Sequence, residues 1–83
     1  MKAYQVVSIA ATASLLGNLL ENGEREEALP VATELEGLME GYQFRSGEVL
    51  RRIVEGLREG EPVLETDIET FLGLIGEETG LAI

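Results

Sequence analysis

The chain has no cysteine, no histidine and no tryptophan, and its 83 residues include one lysine and one aspartate. Without cysteine there can be no disulfide framework and no thiolate metal site, and the default expectation for the compartment is cytoplasmic. Without histidine or cysteine, the nucleophiles of the common hydrolases lack their usual base. These absences exclude the most frequent catalytic arrangements.

Carboxylates are the remaining candidates for catalysis. Glu21, Glu24 and Glu27 follow one another at steps of three, and this spacing resembles the metal-binding E-x-x-E motif of the all-α nucleotide pyrophosphatases. Those enzymes carry a second motif, E-x-x-D, but here Leu64 stands three residues before Asp67. We therefore predict that the protein is not an enzyme and that it has no cofactor and no metal site.

Basic residues are also scarce, with six Lys and Arg against sixteen Asp and Glu and a net charge of −10 at pH 7. Such a charge repels nucleic-acid phosphates and anionic membrane surfaces, which excludes direct nucleic-acid binding. The length allows one domain, residues 1–83, with a single modest core and no deep substrate cleft. A protein partner is the expectation that remains.

Charge is missing altogether from residues 3–20, which read AYQVVSIAATASLLGNLL. As a helix this segment would be about 27 Å long, slightly short of a bilayer core near 30 Å. It is also interrupted by polar residues, namely Gln5, Ser8, Thr12, Ser14 and Asn18. We therefore predict a helix that lies in a protein and not in a membrane.

Hydrophobic periodicity predicts an all-α fold, either a small four-helix bundle or an orthogonal helical array, with helices at residues 3–21, 24–41, 47–59 and 66–76. Asn22 and Gly23 are suited to the left-handed geometry that ends a helix. The second helix contains Pro30, which removes a backbone hydrogen bond, so we predict a kink there. A start of this helix near Leu29 is the alternative.

Local signals also bound the third and fourth helices. Ser46 is a candidate N-cap for the third helix, and the sequence from Thr66 to Glu69 is typical of a capping box that opens the fourth. Gly76 is the predicted end of the fourth helix. The final residues 81–83, Leu-Ala-Ile, form either a flexible tail or a short strip that binds a partner.

The first helix is apolar on more than one side. One seam, suited to the protein's own core, consists of Val6, Ile9, Ala13, Leu16 and Leu20. A second row of mostly small side chains would permit close approach of another chain, and two leucines flank it. We predict that a homodimer or a complex with another protein is built on this helix, through Ala3, Val7, Ala10, Ser14, Leu15, Gly17 and Leu19. A monomer with a weakly polar helix surface is the alternative.

The few basic residues concentrate around the third helix, next to two aromatic residues of the preceding loop. They suggest a second partner surface composed of Tyr42, Phe44, Arg45, Arg51, Arg52 and Arg58. The alternative is that the arginines neutralise neighbouring acids and that the aromatic pair plugs the core.

The acidic residues suggest a different function. A small acidic protein can occupy a basic groove of a DNA- or RNA-binding enzyme, as small phage inhibitors of restriction or CRISPR systems do. Against this mimicry, helical spacing predicts ordinary surface ion pairs, namely Glu48 with Arg52, Arg51 with Glu55, and Glu55 with Arg58. A self-associating interaction module is therefore the main prediction, and an acidic inhibitor is the alternative.

Overall fold

The computed structural model, which describes residues 1–81, contains four α-helices joined by short loops. The helices are α1 (Ala3–Glu21), α2 (Arg25–Met39), α3 (Ser46–Glu59) and α4 (Glu65–Thr79). No strand occurs within this part of the chain. The predicted all-α class and the number of helices are confirmed. The prediction for the last three residues falls mainly on residues 82 and 83, which lie outside the described residues.

The helices form a ring in which each one packs on two neighbours. α1 contacts α2 and α4, and α3 contacts the same two helices. Within residues 1–81 the diagonal pairs, α1 with α3 and α2 with α4, do not meet. The radius of gyration is 11.6 Å, close to the value of about 12 Å typical of a compact domain of this length. Each helix therefore turns its outward side to solvent.

The end of α1 follows the sequence prediction. Gly23 has a φ of +72°, and its N–H donates to the Leu20 carbonyl. The Glu24 N–H donates to the Leu19 carbonyl at 2.9 Å, which completes the paired hydrogen bonds of a Schellman motif. This tight turn sends the chain straight into α2.

The second helix begins at Arg25 and continues through Pro30 to Met39. The alternative start near Leu29 is wrong, whereas the kink at Pro30 stays a prediction. The proline is exposed, so its ring faces solvent, while Ala28 and Ala32 are buried on either side of it. Burial of that apolar stripe stabilises the helix across a residue that would otherwise interrupt it.

Three local predictions for α3 and α4 are wrong. Ser46 is the first residue of α3 and not its cap, and α4 begins at Glu65 after Leu64 with no side-chain cap, so the expected capping box does not form. Helix α4 also runs past Gly76 and ends before Gly80, whose φ is +71°. The last turn, beyond Gly76, makes a contact that local signals do not reveal, because Glu78 accepts hydrogen bonds from the backbone N–H groups of Arg45 and Ser46.

The core is formed by one stripe from each helix. Its largest fully buried side chain is Phe71 of α4. The central residues of the predicted α1 seam, Ile9, Ala13 and Leu16, are almost completely buried, while Val6 and Leu20 at its ends are half-buried. The apolar stripe of α3 is also buried, namely Val49, Leu50, Ile53, Val54 and Leu57. Because α1 turns this seam and the residues next to it toward the interior, the opposite side of the helix is left exposed.

Candidate interaction surface

The outward side of α1 is uncharged and contains the most exposed large apolar side chains of the helix. Tyr4, Val7 and Leu15 are 65%, 56% and 50% exposed. They recur at helical spacing with smaller exposed residues, so they lie on one side of the helix. We call this surface the outer α1 face and define it as Tyr4, Val7, Ser8, Ala11, Leu15 and Asn18.

Two residues of the predicted small-residue row do not reach this surface. Ala10 and Gly17 are buried inside the chain. A Cβ placed on Gly17 would lie 2.9 Å from Leu72 Cδ1 of α4. At Gly17 the small residue therefore allows α4 of the same chain, and not a second chain, to pack closely against α1.

The other predicted interface residues are placed differently. Ala3, Val7 and Leu15 are exposed, whereas Ser14 and Leu19 are half-buried at the borders of the outer α1 face. Leu19 also packs against the core. Of the predicted set, Val7 and Leu15 thus belong to the outer α1 face, whose other four residues, Tyr4, Ser8, Ala11 and Asn18, are not in the prediction. The same steps of three and four that identify the core seam, applied to the opposite side of the helix, would have found these four.

By length and composition alone, α1 is long and apolar enough to cross a membrane. Its most apolar 18-residue window has a mean hydropathy of 1.4, and 28% of that window is buried inside the protein. Core helices of soluble proteins and signal sequences share this length and composition, so the property by itself does not distinguish a membrane segment from them. The 28% burial does establish that most of this apolar helix is not covered by α2 and α4.

The acids of the other helices are less neutralised than their spacing predicts. Among residues 1–81 two ion pairs form, one between Arg52 and Asp67 at 3.3 Å and one between Arg45 and Glu77 at 3.6 Å. Both join different elements. The three predicted pairs within α3 are therefore wrong, because Arg52 reaches across to α4 and the other side chains extend into solvent.

Glu78 of α4 caps the start of α3. The Arg45 N–H donates to Glu78 Oε2 at 2.7 Å, and the Ser46 N–H donates to Glu78 Oε1 at 3.0 Å. Burial alone would raise the pKa of Glu78, but hydrogen bonds from Ser46 and Arg45 and the charge of Arg45 outweigh it, so the pKa is lowered. This contact fastens one end of α3 to the last turn of α4.

At the opposite end of α3, three acids stand close together. The pKa of Glu59 is raised, first by a hydrogen bond and repulsion with Glu61, and less by burial and by repulsion from Glu55. Within residues 1–81 no group of three or more Asp and Glu could hold a metal ion. This cluster is a local concentration of negative charge.

Part of the predicted second partner surface does come together. Tyr42 and Phe44 form an edge-to-face pair with ring centroids 6.3 Å apart. With Arg45 and Arg51 they line an open depression of about 680 Å³ between the end of α2 and the start of α3. Phe44 also packs against the core, so this aromatic pair is both a plug and a partly exposed surface.

The remaining two arginines do not line this depression. Arg52 pairs with Asp67 of α4. Arg58 lies exposed in the last turn of α3, far along the helix from the loop that carries the aromatic residues. The predicted surface is therefore reduced to its two aromatic residues and two of its four arginines.

Comparison with protein-family models, with curated proteins and with solved structures gave no match for this chain.

Proposed function

We propose that the protein is a non-enzymatic interaction module that self-associates through the outer α1 face. The observation that carries this proposal is the exposure of Tyr4, Val7 and Leu15 on a helix side without charge. Apolar surface that remains exposed along several turns is typical of protein contact sites. Covering this surface removes apolar area from water, which stabilises the complex by about 25 cal/mol for each Å² buried.

Charge favours a second copy as the occupant. The chain has a net charge of −10, and every acid lies at or after Glu21. Two copies that met through α2, α3 or α4 would bring carboxylates together in a contact from which water is excluded, which is costly. The outer α1 face is where two such chains can meet without this cost.

The size of the face indicates a weak dimer. One helix packed on one helix belongs to the small interfaces, below about 1,200 Å² of total buried surface. We therefore expect a dissociation constant in the micromolar range, which corresponds to a standard free energy of association of about −8 kcal/mol.

The test is a charge placed in the centre of the face. Ala11 is exposed, so Ala11→Glu should leave the fold intact and put two carboxylates into the contact of a dimer. We expect the variant to be monomeric by light scattering and sedimentation at concentrations where the unmodified chain is dimeric. Thr70→Glu is the matched control, because Thr70 is exposed on α4 and the variant has the same net charge.

Two results would contradict the proposal. One is an unmodified chain that remains monomeric up to the hundred-micromolar range. The other is a dimer that Ala11→Glu and Thr70→Glu weaken equally, because the effect would then come from net charge and not from the outer α1 face. Circular dichroism of both variants shows whether helicity is retained.

A second candidate is the acidic inhibitor that occupies a basic groove of a nucleic-acid-binding enzyme. The specific observation in its favour is the lack of the expected ion pairs within α3, which leaves Glu48 and Glu55 exposed to a partner. The test is affinity capture with this protein as the bait. A captured nucleic-acid-binding enzyme that is released when duplex DNA or RNA is added would support this function. If added nucleic acid does not release the captured enzyme, the result would contradict the inhibitor function.

A further inference from the structure

We infer that the two copies pair α1 against α1 in antiparallel orientation, around a twofold axis that passes beside Ala11. This inference rests on the proposed function and adds the orientation and register of the contact. A twofold axis makes the same patch meet itself, so the patch has to be complementary to its own reversed copy.

The outer α1 face meets this requirement in the spacing of its side chains. Val7 and Leu15 lie four residues before and after Ala11, and Tyr4 and Asn18 lie seven residues before and after it. Antiparallel pairing about Ala11 therefore places Val7 at the level of the partner's Leu15, and Tyr4 at the level of the partner's Asn18. The apolar residues meet apolar residues, and the Tyr4 hydroxyl meets an amide that can hydrogen-bond to it.

Small side chains at the middle of the face permit the helices to approach. Ala11 lies on the proposed axis, with Ser8 beside it. Helix axes approach to about 8 Å when the residues at the contact are small. The larger Val7 and Leu15 then fill the space on either side of the crossing.

The two ends of α1 decide its orientation. The first turn of α1 contains no acid and its last turn contains no basic residue, although a helix dipole favours the reverse. Glu21 closes the helix at its negative end, and Lys2 precedes it at the positive end. Antiparallel pairing brings Glu21 to the partner's Lys2 and helix N-terminus, whereas parallel pairing brings Glu21 to the partner's Glu21.

Disulfide formation tests the register, because the chain has no cysteine of its own. We expect Ala11→Cys to form a covalent dimer on mild oxidation. An equimolar mixture of Val7→Cys and Leu15→Cys should form a mixed disulfide that mass spectrometry identifies. Val7→Cys alone should not cross-link, because two copies of residue 7 would lie about 12 Å apart along the helix axis, too far for a disulfide.

The controls separate the inference from the proposed function. Thr70→Cys on α4 should remain uncross-linked at the same concentration, and light scattering of each reduced variant shows whether it still dimerises. Cross-linking of Val7→Cys with itself would indicate parallel pairing and would overturn the inference while leaving the dimer in place. A reduced dimer in which neither Ala11→Cys nor the mixture cross-links would overturn it too. An unmodified chain that is monomeric throughout would remove the proposed function and the inference together.

Discussion

Gly17 illustrates how one residue can belong to a different surface from the one its sequence context suggests. In sequence it belongs to a row of small residues on an apolar helix, which is typical of contact between chains. In the structure it is buried, and the Leu72 side chain of α4 occupies the space beside it. A glycine here lets α1 and α4 approach closely, so its function is internal packing.

Enlarging Gly17 should therefore destabilise the fold. For Gly17→Leu we expect a loss of about 1–3 kcal/mol in the free energy of unfolding, because the new side chain has to displace Leu72. Gly17→Ala should be close to neutral, since the flexible end of Leu72 can move and alanine favours the helix by about 1 kcal/mol. Urea unfolding followed by circular dichroism measures both changes.

Gly73 of α4 is the matched control for this prediction. It is exposed, and a Cβ added there would meet nothing within 4 Å. Gly73→Leu should therefore raise stability slightly through helix propensity. Equal destabilisation by Gly17→Leu and Gly73→Leu would show that Leu72 does not determine the effect.

At the scale of elements, α3 depends on α4 for its N-terminal cap. No side chain near the start of α3 caps it, and the Glu78 carboxylate accepts hydrogen bonds from the backbone N–H groups of Arg45 and Ser46. A negative charge at this end also interacts favourably with the helix dipole. The contact thus couples the first turn of α3 to the last turn of α4.

The lowered pKa of Glu78 gives this cap a defined pH dependence. Because the folded pKa lies below the ordinary value of 4.5, the stabilisation is fully present above pH 4.5 and is lost as the pH falls through the folded pKa. Glu78→Gln should therefore cost about 0.5–2 kcal/mol at pH 7, the usual range for the loss of a cap. The difference in the free energy of unfolding between Glu78→Gln and the unmodified chain should be smaller at pH 3 than at pH 7. Urea unfolding at both pH values measures it.

Glu77 provides the matched control on the neighbouring residue. Its carboxylate pairs with Arg45 at 3.6 Å, and both side chains are largely exposed. Exposed pairs contribute about 0–1 kcal/mol, so Glu77→Gln should change stability much less than Glu78→Gln. If the two variants behave alike at both pH values, the hydrogen bonds of Glu78 are not important for stability.

At the scale of the whole molecule, net charge and apolar surface are separated. Apart from Glu21 at the end of α1, the acids lie on α2, α3, α4 and the loops, while α1 presents an uncharged side. The two candidate functions use these two surfaces in opposite ways. A dimer through α1 forms in spite of the net charge, whereas an inhibitor of a basic groove binds because of it.

Salt should therefore affect the two kinds of complex in opposite directions. Raising sodium chloride from 20 to 500 mM shortens the Debye length from about 20 Å to about 4 Å. We expect the homodimer's dissociation constant to fall several-fold, because repulsion between two chains of net charge −10 is screened. Sedimentation equilibrium at salt concentrations from 20 to 500 mM measures this dissociation constant. If salt instead weakens the dimer, the contact is stabilised mainly by attraction between opposite charges.

Much of the fold could be predicted from the sequence because hydrophobic periodicity reports which side of a helix is buried. The seam of α1 is an example, since its central residues Ile9, Ala13 and Leu16 are buried as predicted. The caps were less predictable. Ser46 and the segment from Thr66 to Glu69 carry local signals, but Glu78, distant in sequence, supplies the hydrogen bonds at α3.

The sequence by itself determined the all-α class, the charge-free stretch of the first helix, the turn at Gly23 and the absence of thiol and imidazole chemistry, because composition and periodicity act locally along the chain. Only the tertiary structure decided which sides of α1 remain exposed. That outcome depends on where α4 packs, since Leu72 covers Gly17 while Val7 and Leu15 stay open to solvent. A helix that is apolar nearly all round does not specify which side its neighbours cover, and the packing of α2 and α4 against α1 decides this.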